Sequence, residues 1–435
     1  MEYKETIEYL FGLQKHGMKF GLDNIRKLTA ASGHPQNSFH AVHVAGTNGK
    51  GSTSAMIESI LRTSGVRTGL FTSPHLISFT ERIRVNGEEI SEENVIALAQ
   101  EVRKTAERFE DFSPTFFEVV TAMAFLHFRN EKVDWAVIET GLGGRLDATN
   151  VITPEACVIT DIGIDHSEFL GKSLAEIASE KAGIIKPGVP VVTSAQPREV
   201  IEKIRGRAAE MKSPLYTYGE DFSASDIAED PEGLAFSYHG RLDYIGLAPA
   251  LSGLHQIKNA SMAVKTIEIV GERYPELRFD ISGGLSRTKW PGRLEMASEN
   301  PPILIDGAHN PHAAAALAAH LKKMLQKNYR RIILVAGIMS DKDIVGITEP
   351  LIGIASEIIF TSPAYGRAAA PETLVSSAAS LGYGAKTAAT VAEALISARK
   401  LWQPGDLIVV TGSFYTIGEA KEALGNKGVL SRLRE

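Results

Sequence analysis

The run Gly46-Thr47-Asn48-Gly49-Lys50-Gly51-Ser52 sets one lysine among small residues, after a β-branched stretch and before a helical pattern. Small residues let backbone N–H groups approach an anion, and a helix that starts there adds the positive end of its dipole. The chemistry suited to this spacing is phosphate binding, with Lys50 as the point charge on the β- and γ-phosphates. The spacing departs from the common phosphate loop. Val44 stands where a glycine is usual, and Gly51 separates Lys50 from the hydroxyl of Ser52. A plain glycine turn before a helix is the competing reading, but it leaves the density of small residues around one lysine unexplained.

Other polar residues stand where strand or helix patterns end. Glu139 stands near the end of the run 135–140, which leads into Gly141-Leu142-Gly143-Gly144-Arg145-Leu146-Asp147-Ala148-Thr149-Asn150. Mg²⁺ takes one or two protein carboxylates beside waters and phosphate oxygens, so Glu139 is the best carboxylate candidate. Asp165-His166 follows another apolar run, and His166 suits a ligand, a catalytic group or a buried structural histidine. Lys181, in Glu180-Lys181-Ala182-Gly183, sits at the end of a helical pattern. A cation there complements the helix dipole, while a desolvated lysine can lose its proton. In Asp306-Gly307-Ala308-His309-Asn310-Pro311, helix capping accounts for Asn310 and Pro311 but not for Asp306 and His309.

The elements that must position these groups alternate along the chain. Strand patterns at 40–45, 68–72, 135–140, 156–162 and 189–194 are interleaved with helical patterns at 52–63, 92–108, 116–129 and 174–184. That order predicts a mainly parallel sheet covered by helices, whose strand ends converge on a ligand crevice. The polar stretch 221–247 predicts a small antiparallel excursion, and 256–274 a helix with an apolar stripe. A second series has strands at 303–305, 332–336, 358–361 and 407–411, and helices at 311–325, 371–381 and 391–401. The expected architecture is α/β in two domains: residues 1–295 as a phosphate-loop ATPase domain, and 296–435 as a smaller Rossmann-like α/β domain. The polar stretch 296–302 is the candidate hinge.

Bulk composition narrows the partners. A net charge of −6 and a pI near 6.1 disfavour nucleic acid and leave small molecules. Cys157, the one cysteine, lies in an apolar run and can form neither an internal disulfide nor a multi-cysteine metal site. The first ten residues carry Glu2, Lys4, Glu5 and Glu8, unlike a signal peptide, and no apolar run is long enough to span a membrane. A cytoplasmic, monomeric protein with no membrane partner is expected.

Taken together, these motifs resemble the folate branch of the Mur ligase superfamily, in order from roughly residue 20 to 420. The phosphate loop with its Gly51-Ser52 ending carries the resemblance first. Thr72-Ser73-Pro74-His75-Leu76, His255-Gln256-Ile257-Lys258-Asn259-Ala260, Trp290-Pro291-Gly292-Arg293, Ser340-Asp341-Lys342-Asp343 and Thr411-Gly412-Ser413-Phe414-Tyr415 extend it.

The resemblance implies ATP as co-substrate and Mg²⁺ at two sites, with Ser73, Glu139 and His166 as ligands and Lys181 carbamylated. It implies that Asn259 reads adenine and that Arg293 and Asp306 contact the nucleotide. His309 and Ser413 then face incoming L-glutamate. Thr115, Phe116, Phe117, Glu118, Leu146, Asp147 and Ala148 are implied to hold folate or dihydropteroate, although Phe116 and Phe117 also fit a plain helix core. Phe20-Gly21-Leu22-Asp23-Asn24-Ile25 resembles a segment near the pterin, with Asn24 where some members carry arginine. The implied reaction joins glutamate to a folate through an acyl phosphate. A peptidoglycan ligase with a UDP-linked acceptor, a phosphate-loop kinase and a non-enzymatic nucleotide switch are the alternatives.

Overall fold

Strands β1 (His40–Ala45), β2 (Thr68–Phe71), β3 (Ile83–Val85), β4 (Glu88–Glu89), β5 (Trp135–Glu139), β6 (Ala156–Ile159), β7 (Val191–Thr193) and β8 (Leu215–Thr217) form one sheet. Its order is β4-β3-β2-β5-β1-β6-β7-β8 in a computed structural model that describes residues 2–16, 21–194, 196–230 and 233–426. Phe20 lies outside the described residues. All pairings are parallel except β2 with β3 and β3 with β4, which run antiparallel at one edge. Strands β5, β1 and β6 are central, so their carboxyl ends bring Glu139, the glycine loop and Asp161 together. These strands are buried along nearly their whole length, which is why their sequences are mostly apolar.

The chain divides into two compact units. The first comprises Met1–His75, Phe79–Ala250 and Gln256–Lys289; the second comprises Leu76–Ser78, Leu251–His255 and Trp290–Glu435. In the first unit, helix Phe116–Asn130 begins with a reciprocal cap: the Thr115 hydroxyl accepts from the Glu118 N–H, and the Glu118 carboxylate accepts from the Thr115 N–H. The excursion at 221–247 is a three-stranded antiparallel sheet of β9 (Ser223–Asp230), β10 (Gly233–His239) and β11 (Tyr244–Leu247). It is tied to helix His255–Arg273 through Glu268, whose carboxylate accepts from Tyr238 Oη at 2.9 Å, Lys265 Nζ at 3.2 Å and Leu242 N at 2.9 Å. Burial makes that pairing necessary, because an unpaired carboxylate there would be costly.

The second unit holds β12 (Glu295–Glu299), β13 (Pro302–Ile305), β14 (Arg331–Ala336), β15 (Glu357–Thr361), β16 (Lys386–Ala388) and β17 (Asp406–Thr411), ordered β12-β13-β17-β14-β15-β16. Here the structure corrects the sequence reading. Residues 296–302 are no hinge but a hairpin inside this unit, with Glu295 opposite Ile305 and Glu299 opposite Pro302. Strand β12 is an antiparallel edge with one flank uncovered, so its polar residues imitate a linker. The unit's main segment starts at Trp290. No helix among the described residues is long and apolar enough to cross a membrane.

Candidate active site

The loop after β1 is built by two glycines that no other residue could replace without strain. Gly46 has φ +150°, and a Cβ there would collide with the Thr160 side chain. Gly49 has φ +89°, opens helix Lys50–Thr63 and faces Asn259, whose Oδ1 would lie 2.5 Å from an added Cβ. Asn259 therefore packs on the loop itself. Its Nδ2 donates to Gln256 Oε1 at 2.9 Å, and Gln256 Nε2 reaches Ser52 Oγ at 3.4 Å. Thr47 and Asn48 donate their N–H groups to the Asp161 carbonyl at 2.8 and 3.1 Å. The Asp161 carboxylate pairs with Lys258 at 3.0 Å. Lys50 Nζ folds back onto the carbonyls of Gly46 at 3.1 Å and Thr47 at 3.4 Å.

Lys181 converges on the same loop. Helix Leu174–Ala182 places it in the interior, where Nζ donates to the Gly46 carbonyl at 2.7 Å. Burial and the neighbouring Lys50 charge lower its pKa from 10.5 to about 7, against the opposing pull of Asp165 and Asp147. Glu139 is buried at the end of β5, and its Oε2 accepts from Ser73 N at 3.3 Å. His166 is exposed in a left-handed conformation (φ 51°), with Nε2 3.9 Å from Asp165 Oδ1. Non-glycine residues held in that conformation cluster at functional sites. Among the described residues no three His, Cys, Asp or Glu side chains gather as a self-sufficient metal site. A single buried carboxylate such as Glu139 is the kind of protein donor that Mg²⁺ uses, since that ion draws most of its ligands from water and phosphate.

The residues expected around folate divide into two kinds. Thr115 and Glu118 are engaged in the helix cap, and Asn24 Nδ2 adds a bond to Glu118 Oε2 at 3.2 Å. Asp147 is buried and turned onto its own loop, accepting from Leu142 N at 2.8 Å, Thr149 N at 3.0 Å and Thr149 Oγ1 at 2.5 Å. Burial raises its pKa. It braces the glycine-rich turn, as does the buried Ala148 beside it, while Leu146 is half-buried. Phe117 lies over that turn, 2.6 Å from where a Gly141 Cβ would stand. Phe116 stacks on Phe11 at 5.4 Å and under the Arg82 guanidinium at 5.1 Å.

Sequence reasoning gave no role to His43, and it placed Arg82 only within Glu81-Arg82-Ile83, a run that resembles a loop closing over the nucleotide. His43 Nε2 meets Thr149 Oγ1 at 2.8 Å; because that hydroxyl donates to Asp147, the histidine must carry its proton on Nε2. Burial, aided by Lys186, drops its pKa to about 3. Arg82 is buried and donates from Nε to His75 Nδ1 at 2.7 Å. His43 has no local signal, since Thr149 lies 106 residues away in sequence.

In the second unit, Asp306 follows β13 and accepts from Leu294 N at 3.0 Å and Ala308 N at 2.9 Å. Burial raises its pKa, with Arg293 opposing. Phe414 is the hub: Arg293 sits 4.7 Å over its ring, His309 lies 5.3 Å away, and Gly307 leaves it room. Ser413 caps helix Phe414–Ala423 by accepting from Thr416 N at 3.1 Å. Asn310 caps Pro311–Lys327 in the same way, as the sequence predicts.

A phosphate loop on one α/β unit and a polar strand-end cluster on a second are the setting in which the Mur ligase family models match this chain. The Mur ligase middle domain matches residues 44–267, and the Mur ligase glutamate ligase domain matches residues 292–414. The dihydrofolate synthase/folylpolyglutamate synthase of Bacillus subtilis (strain 168) is 36% identical over 97% of this chain and 99% of its own length. The folylpolyglutamate synthase of Lacticaseibacillus casei is 34% identical over 98% and 99%. A Mycobacterium tuberculosis folylpolyglutamate synthase complexed with ADP and AMPPCP superposes with a TM-score of 0.90 at 32% identity, covering 98% of this chain and 100% of that one. The chain belongs to the folylpolyglutamate synthase and dihydrofolate synthase family.

Proposed function

We propose that this chain is an ATP-dependent ligase that joins L-glutamate to folates through an acyl phosphate, and that it also adds the first glutamate to dihydropteroate. The observation that carries the reading is the convergence of Lys50 and Lys181 on the Gly46 carbonyl beneath a phosphate-type loop. The related Escherichia coli FolC is in complex with DHPP and ADP, at 31% identity and a TM-score of 0.87 over 98% of each chain. That relative supports a pterin acceptor and ATP for this chain.

In the proposed reaction the γ-phosphoryl group of ATP passes to the acceptor's carboxylate. The amine of glutamate attacks the acyl carbon, and phosphate leaves. Lys50 and the loop amides stabilise charge on the transferred group, which is the main requirement of phosphoryl transfer. Glu139, Ser73 and His166 would hold a Mg²⁺ ion, which would supply positive charge to offset that of the phosphates. Lys181, whose amine loses its proton near pH 7, can take up CO₂: the neutral nitrogen forms an N–C bond, a proton leaves, and an anionic carbamate replaces the neutral amine. Arg293 and Asp306 serve the nucleotide and Asn259 the adenine. His309 and Ser413 receive glutamate. Phe116, Phe117 and the turn braced by Asp147 border the folate.

The test is ATP-dependent incorporation of glutamate with tetrahydrofolate or dihydropteroate as sole acceptor, read by product mass and ADP release. Incorporation on both is expected. None on either overturns the proposal, and none on dihydropteroate alone restricts it to polyglutamylation.

A further inference from the structure

Three loops of the second unit leave the carboxyl ends of β14, β15 and β17, the side of an open α/β sheet where ligands bind. They are linked to one another. Ser340 N donates to the Arg367 carbonyl at 2.8 Å, Ala369 N to the Ile338 carbonyl at 2.9 Å, and Met339 bridges Ala368. On this platform Tyr365 stacks face to face on Tyr415, with ring centroids 4.2 Å apart and planes 11° apart. The next residue but one after Tyr365 is Arg367, whose guanidinium lies 5.2 Å from the Tyr365 ring centroid. Its Nε and Nη2 both donate to Tyr365 Oη, at 3.2 and 2.9 Å.

This arginine is exposed, yet it is fixed by a ring and a hydroxyl and not by an acid. Among the described residues no carboxylate lies within ion-pair distance of it, although Asp341 is near enough to be felt electrostatically. A cation already held still loses little further side-chain entropy when it binds an anion. Tyr415 continues directly from Ser413 and Phe414, and Phe414 lies 5.3 Å from His309. The fixed cation and the glutamate-facing residues thus share one strand-end surface.

We propose that Arg367, oriented by Tyr365, is a specificity-determining residue that binds a carboxylate of the incoming glutamate. This rests on the ligase reading above. A guanidinium fork matches a carboxylate and rejects its amide, which would present donors to donors.

The test uses the full chain with ATP and tetrahydrofolate, varying glutamate, glutamine and the α-amide of glutamate. Wild-type turnover with glutamate checks the ligase reading by itself; without it, both proposals fall. In Arg367→Gln the KM for glutamate should rise about 10- to 100-fold, the usual value of a hydrogen bond to a charged group. The KM for ATP and for tetrahydrofolate should stay put, and discrimination against one of the two amides should narrow. Arg367→Lys should fall between wild type and Arg367→Gln. Tyr365→Phe, which keeps the stack and removes the anchoring hydroxyl, should raise the glutamate KM by a smaller factor. A glutamate KM within twofold of wild type in Arg367→Gln overturns the proposal. So does a rise confined to the KM for folate, which would assign the arginine to the acceptor's own carboxylates.

Discussion

Lys50 and Lys181 both donate to the carbonyl of Gly46, so two amines crowd one oxygen. Buried like charges are mutually unfavourable, and Lys181, the more deeply buried, is the one that gives up its proton. The folded chain releases that proton near pH 7, whereas an unfolded chain keeps it to pH 10.5. Between those values the unfolded state binds more protons, so this group's contribution makes stability rise with pH and level off below pH 7. Urea unfolding at several pH values should show a smaller slope over that window in Lys181→Gln than in wild type. The proposed carbamylation needs the neutral amine; on that proposal activity should fall below pH 7 and on removal of CO₂, and Lys181→Ala should be nearly inactive. Lys50→Ala removes the charge proposed to meet phosphate, and with it the bonds to the Gly46 and Thr47 carbonyls. It should cost at least about 10²-fold in turnover while circular dichroism and the melting temperature stay unchanged.

At the scale of elements, the join between β1 and helix Lys50–Thr63 depends on Gly49. Gly49→Ala forces a side chain into a left-handed backbone and against the Asn259 amide, so a loss of about 1–2 kcal/mol is expected from the backbone alone. Calorimetry reads that loss, and titration with ATP should show weaker binding because Asn259 is displaced. This join was legible in the sequence because its signal is local: small residues, one lysine, and apolar runs on either side. Strand β6 ends at Ile159, short of the expected 162, because Asp161 turns back to receive the amides of the phosphate loop. Short edge strands such as β4 and β16 left no readable pattern, and helices Tyr3–Gly12 and Asp23–Ala31 were not distinguished. Within the site, Lys50 and Lys181 stood out by their neighbours in sequence. His43 and Arg367 did not, since Thr149 is distant in sequence and the Tyr365 ring beside Arg367 is set by Tyr415 from another loop.

At the scale of the molecule, each unit carries a core of its own. In the first, Ile159, Ile177 and Val191 belong to one buried cluster; in the second, Leu304, Leu334 and Val409 belong to another. Leu334→Ala should cost about 2–5 kcal/mol, the usual range for a truncated core leucine. Hydrogen exchange should then show lost protection at β14 and β17, with β1 and β5 retaining theirs. One buried residue makes such experiments simpler than usual. Cys157 is the chain's single cysteine, it is inaccessible, and burial pushes its thiol up to about 12. The thiolate is the reactive form, so the native protein offers maleimide dyes almost nothing to attack. A cysteine introduced at an exposed position in each unit would therefore be labelled without first stripping the background. A donor–acceptor dye pair placed this way can follow the two units through a catalytic cycle in an otherwise unaltered chain.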